Sequence, residues 1–162
     1  SSMIRIDAET ARATARAAAK KARDLAAQIG PRYQVKITLP PADNRHLGWF
    51  DQGTTRQPPR PVMTINATVQ DAARVAMQKR INVDIATTGR VNVLVALQAA
   101  AEAMRDVFVR RLSSSGGDIT FARLSPLYAQ SKRRRGLDPR IGVATGSMLA
   151  AMSRGLVVVF KI

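Results

Sequence analysis

The chain has 162 residues, of which 46% are apolar, enough to build one modest core and too many for wholesale disorder. It contains no cysteine and one histidine, His46. This excludes a disulfide framework, a thiolate metal site and a thiol nucleophile, and leaves a zinc site short of ligands. The formal net charge of +15 would attract nucleic acid, an acidic protein surface or an anionic membrane.

That charge is not gathered in one tail. Residues 1–81 carry 14 basic and 6 acidic side chains, and residues 82–162 carry 12 and 5. A basic arm on a neutral domain is therefore a poor description, and one domain over 1–162 is expected. No apolar run approaches the roughly 20 residues of a membrane span, so no membrane is expected among the partners. No secretory-signal pattern is read. Asp7, Glu9 and Asp24 argue against taking the Arg/Ala-rich stretch 11–27 as a transit peptide.

The first element is a helix. Ile4, Ala8, Ala11, Ala15, Ala18, Ala22, Leu25 and Ile29 recur in alternating steps of four and three, which places them on one face. Asp7 suits its N-cap and Gly30-Pro31 its end. Arg12, Arg16, Lys20 and Arg23 form a basic stripe, either a solvated face or a contact with DNA or an acidic partner.

Tyr33 to Leu39 alternates and predicts a strand, ended by Pro40-Pro41. His46 to Phe50 is a second short strand candidate. Asp51-Gln52-Gly53-Thr54 reads as a turn. Pro58-Pro59-Arg60-Pro61 forces stiff, extended backbone. Residues 40–61 therefore read as a long Pro-rich loop, longer than a compact domain normally carries without use. A helix is expected from about Thr64 to Ile81. Thr68 with Asp71 offers a later start as a capping box, and residues 82–90 include a break, Thr87-Thr88-Gly89. In the next helix, near 91–112, Leu94, Leu97, Ala101, Met104, Phe108 and Leu112 share a face, and Asp106 can pair with Arg110. Ser113 to Asp118 is a turn. Ser125 followed by Pro126 opens a short helix running to Arg135 and stopped by Gly136. Thr145 to Arg154 is another, stopped by Gly155. Leu156 to Ile162 closes the chain as a strand.

No catalytic constellation emerges. The 11 acids are scattered, and no glycine loop has the spacing and lysine that cradle phosphate. A lone loop histidine such as His46 beside Trp49 is more often packed or solvated than a base. No enzyme activity, cofactor or metal is expected. Lys132-Arg133-Arg134-Arg135 is a basic run at a helix end that would bind phosphate. It lacks the interleaved aromatics of single-strand binders, and no helix pair has helix-turn-helix spacing. Arg12, Arg16, Lys20, Arg23 and Lys132 to Arg135 are thus the residues set to face DNA, without sequence reading.

Two segments carry a resemblance. In Gly48 to Met63, "GWFDQGTTRQPPRPVM", the positions are Phe50, Asp51, Gly53, Thr54, Pro58, Arg60 and Pro61. In Leu124 to Leu149, "LSPLYAQSKRRRGLDPRIGVATGSML", they are Leu124, Ser125, Pro126, Lys132, Thr145, Gly146 and Leu149. Together the segments resemble those of tailed-bacteriophage virion-morphogenesis proteins, the tail-completion and head–tail neck components. The resemblance implies a structural virion protein, assembled in the host bacterial cytoplasm, that completes the tail or joins it to the head. Its partners would be further copies of itself in a ring, a hexamer in preference to a dodecamer, other neck, connector or tail-tube proteins, and duplex DNA passing unspecifically through the lumen. Phe50, Asp51, Gly53, Thr54, Pro58, Arg60, Pro61, Lys132, Thr145, Gly146 and Leu149 would carry the interfaces. The rival reading is a basic, non-specific DNA-binding or packaging protein.

The expected fold is α+β. It has a small, mostly antiparallel sheet from strands near 33–39, 46–50 and 156–162, packed by the long N-terminal helix and the helix near 91–112.

Overall fold

The structure, a computed structural model, describes residues 33–138, 140–141 and 146–161, and residues 12–13, 16–17, 20, 23–24 and 27 before them. The chain divides into two compact units. One comprises Ser1–Gln34 with Phe160–Ile162, the other Val35–Val159.

In the first unit the described positions between 12 and 27 are helical and exposed. Arg12, Arg16, Lys20 and Arg23 are among them, so the basic stripe lies on a solvent-facing side of a helix. The expected apolar seam, its Asp7 cap and the Gly30-Pro31 stop lie outside the described residues.

The second unit is built mainly from helices. Helix α1 spans Pro41–Gln52, α2 Ala67–Thr88, α3 Val93–Ser113, α4 Pro126–Arg134 and α5 Ser147–Arg154. Strands β1, Tyr33–Thr38, and β2, Leu156–Lys161, pair as a two-stranded ribbon. The expected α+β class is thereby corrected: the described chain is mostly helical and has no layered sheet. The third strand expected at 46–50 lies inside α1. Pro40-Pro41, which ends β1, also starts this helix, because proline at the first helical position lacks only an N–H that would have no partner there. Leu47 and Phe50, three residues apart, then fall on one buried face. Residues 40–61 are accordingly half helix, and only Gly53 onward is loop.

Helices α2 and α3 pack along each other more extensively than any other pair of elements. The four residues joining them hold the pair antiparallel. Helix α2 starts at Asn66, whose side chain accepts the Val69 N–H, rather than through Thr68 and Asp71. It runs past the expected end at Ile81. Thr87 and Thr88 return their hydroxyls to the carbonyls of Val83 and Asp84, both at 2.8 Å, and the helix ends only at Gly89, which takes the left-handed conformation (φ 68°). Buried Asp84 fastens the connection: it accepts the Asn92 N–H at 3.1 Å and pairs with Arg80 at 2.8 Å. Asn92 in turn caps α3 by accepting from Val95.

Along α3, Ala101, Phe108 and Leu112 are buried as the spacing required, while Leu94 stays exposed. Asp106 pairs with Arg105 rather than the expected Arg110. Phe108 and Leu112 join Leu47, Phe50, Val62, Val69, Val107, Phe121 and Met152 in one core, which α5 closes by packing on α1 and α3.

Candidate functional site

The first resembling segment folds back tightly on itself. Gly53 has φ 78°, and a β-carbon there would lie 2.7 Å from the Pro59 nitrogen, so only glycine fits. Thr54 and Gln57 then exchange both backbone hydrogen bonds, at 2.9 and 3.2 Å. The returning chain is tied to the end of α1. Arg60 N–H donates to the Phe50 carbonyl at 3.0 Å, and Met63 N–H donates to the Asp51 carboxylate at 2.9 Å. Thr54, Pro58 and Pro61 are exposed, whereas Phe50 belongs to the core.

Arg60 departs most from expectation. A charged residue between prolines reads as surface, yet Arg60 is only 4% exposed. Its Nε donates to the Ala122 carbonyl at 2.8 Å and Nη2 to the Arg123 carbonyl at 3.4 Å. The guanidinium lies 5.5 Å from the Phe50 ring centre, and Phe50 meets Phe121 edge-on. Burial pulls the Arg60 pKa down, with Tyr128 nearby acting the other way.

The second segment begins as its chemistry requires. The Ser125 hydroxyl accepts the Tyr128 N–H at 3.3 Å, with Pro126 following in the first turn, and α4 gives way at Gly136 (φ 62°). The basic run that ends it does not act as one patch. Lys132, expected to face DNA, is 3% exposed and donates from Nζ to the Arg140 carbonyl at 2.7 Å. Helical geometry turns this one position inward onto the following loop, and burial lowers its pKa. Arg133, Arg134 and Arg135 are exposed. Gly146 takes the left-handed conformation before α5, and Leu149 packs partly buried against the core. Thr145 lies outside the described residues.

The two segments meet. A cleft of about 480 Å³ opens between the 54–58 turn and residues 123–128. Thr54, Arg56 and Pro58 line it from one segment, Leu124, Ser125 and Tyr128 from the other, and Arg60 and Arg123 join them. Arg60 is the only buried residue of its lining. Of the residues expected to carry interfaces, the cleft unites Thr54, Pro58 and Arg60. It leaves Phe50 in the core and Lys132 in the α4–loop junction.

Arg111 and Asp118 were not singled out by any motif. Arg111 is fully buried, and its guanidinium makes five hydrogen bonds. Two go to Asp118 and the others to the carbonyls of Val62 and Thr64 and the side-chain oxygen of Asn66. This knot anchors the chain just after the cleft's first wall. An arginine late in an apolar helix, seven residues before an aspartate, was the one available signal.

His46 is exposed on α1, with its ring centre 5.5 Å from that of Trp49. Among the described residues no group of acids and histidines is placed to hold a metal. Among them, too, no helix is long and apolar enough to cross a membrane. Comparison of the chain with protein-family models, curated protein sequences and solved structures found no match.

Proposed function

We propose that this chain is a structural protein of the tailed-phage neck, completing the tail or joining it to the head as one protomer of a ring around the DNA channel. The observation that supports this most is the convergence of the two resembling segments. They are separated in sequence, yet Thr54, Pro58 and Arg60 from one and Leu124, Ser125 and Tyr128 from the other line a single cleft. A ring protomer needs two different faces, one of which receives its neighbour. A proline-stiffened wall loses little entropy when it is ordered against a partner. Exposed Arg12, Arg16, Lys20 and Arg23 in one unit, and exposed Arg133, Arg134 and Arg135 in the other, would each tolerate passing phosphate without gripping it.

The same exposed arginines favour the second reading, a basic, non-specific DNA-packaging protein. Native mass measurement of nuclease-treated protein separates the two. The neck reading expects a discrete closed particle, six times the 17.6 kDa chain mass, that forms without DNA. A monomer that clusters only when duplex DNA is added would favour the packaging reading instead.

A further inference from the structure

Among the described residues, none neutralises the charge of Arg60. Its two bonds go to backbone carbonyls, and among the described residues no carboxylate forms an ion pair with it. A guanidinium has five N–H donors, so three are left over, including both on Nη1. Arg56 and Arg123, both exposed, line the same cleft, and none of its lining residues is acidic. Three arginines around one recess, with no counter-ion among the described residues, make a site for an anion. The start of α4 at Ser125 adds the positive end of a helix dipole to the same recess.

We propose that this cleft binds a carboxylate side chain from an acidic peptide segment of a partner protein, with Arg60 as the recessed fork and Arg56 and Arg123 as the rim. A planar guanidinium matches a carboxylate through two parallel hydrogen bonds. The volume lies within the usual range of about 300–1,000 Å³ for pockets that take small groups. Pro58, Leu124 and Tyr128 supply apolar wall for the side-chain stem. Burial makes the pairing count, because a desolvated cation gains more from an anion than one in water. Duplex DNA is the poorer occupant. Its phosphates sit on a wide, stiff surface and can meet exposed arginines such as Arg133 to Arg135, but not a fork that is 4% exposed. The inference does not require the neck reading, since a cleft for an acidic segment would stand in a protein of either proposed role.

The test uses the full chain and three probes: a capped glutamate-rich peptide, the same peptide with glutamine throughout, and a short DNA duplex. Binding is followed by titration calorimetry and by the Arg60 Nε–H signal in nuclear magnetic resonance. The glutamate peptide should bind and shift that signal, and the glutamine peptide should not. Arg56→Gln and Arg123→Gln, each at an exposed position, should weaken the peptide by about tenfold or more while leaving the melting temperature and DNA affinity unchanged. Arg133→Gln should do the reverse. An Arg60 signal unmoved at saturating peptide would overturn the proposal. So would peptide affinity indifferent to Arg56 and Arg123. If both changes instead weakened DNA binding alone, the cleft would belong to the DNA surface.

Discussion

Arg111 grips Asp118 through two parallel hydrogen bonds, Nε to Oδ1 at 2.8 Å and Nη2 to Oδ2 at 2.7 Å. Asp118 also accepts from Asn66 at 2.8 Å, and Arg111 reaches the Val62 and Thr64 carbonyls, each at 2.7 Å. One side chain therefore ties three stretches: the exit of the Pro-rich segment, the cap of α2 and the turn after α3. The cleft's first wall hangs from this junction, so its rigidity depends on a residue that does not line it.

Arg111→Lys should unfold the second unit far more readily. Lysine keeps the charge but presents a compact ammonium with three donors, and cannot reach five acceptors laid out for a planar fork. The carbonyls of Val62 and Thr64 would be left short of donors. A loss of about 1–3 kcal/mol in urea-unfolding free energy is expected, the usual cost of leaving acceptors unsatisfied. A change within the scatter of surface variants would show that the knot contributes little.

Asp118 should make stability sensitive to acid. The Arg111 hydrogen bond, reinforced by Asn66 and opposed by burial, holds its carboxyl well below the usual range. A folded-state pKa depressed in this way adds stability that is fully present above the unfolded value of about 3.9 and is lost as pH falls toward the folded one. Asp138, held down to about 2 by Arg140, acts in the same direction at the surface. Urea midpoints measured through the acid range should fall less steeply for Asp118→Asn than for the parent. Parallel curves would remove Asp118 from the account.

Arg60→Ala should lower stability, contrary to what its place between prolines suggests. It strips the donors from the Ala122 and Arg123 carbonyls and leaves space beside Phe50. About 1–3 kcal/mol is the ordinary cost of such stranded acceptors. Pro61→Ala, at an exposed neighbour, should stay within roughly 0.5 kcal/mol. Thermal melts of the two variants side by side check this, and equal melting temperatures would count against the internal role.

The basic run of α4 should separate by position. Neutralising Arg133, Arg134 and Arg135 should reduce the log–log salt slope of duplex binding by up to about 3, near 0.9 for each phosphate the protein ceases to neutralise. Lys132→Gln should leave that slope alone and lower stability, because its ammonium holds the Arg140 carbonyl inside the protomer. Anisotropy titrations over a range of salt concentrations read the slope. A flatter slope for Lys132→Gln would mean that the side chain turns outward on DNA.

Local chemistry was legible from residue order. Ser125 before Pro126 starts α4, Gly136 and Gly155 stop helices, and the alternating stretch at 33–38 and the apolar, β-branched run at 156–161 form strands, because caps and local pattern act over a few residues. The stretch 46–50 shows the limit of that reading. His46-Leu47-Gly48-Trp49-Phe50 satisfies both a strand's alternation and a helix's three-residue step, and the choice fell to the core that receives Leu47 and Phe50 together. The candidate site lay further out of reach. Arg60 finds its carbonyls 62 and 63 residues away, and Arg111 finds its own 47 and 49 residues away. The charge, the turns and the helix ends belong to the sequence by itself. Which arginines go inside was decided only by the tertiary structure, since a buried guanidinium is tolerable only where distant backbone has already been folded into acceptors for it.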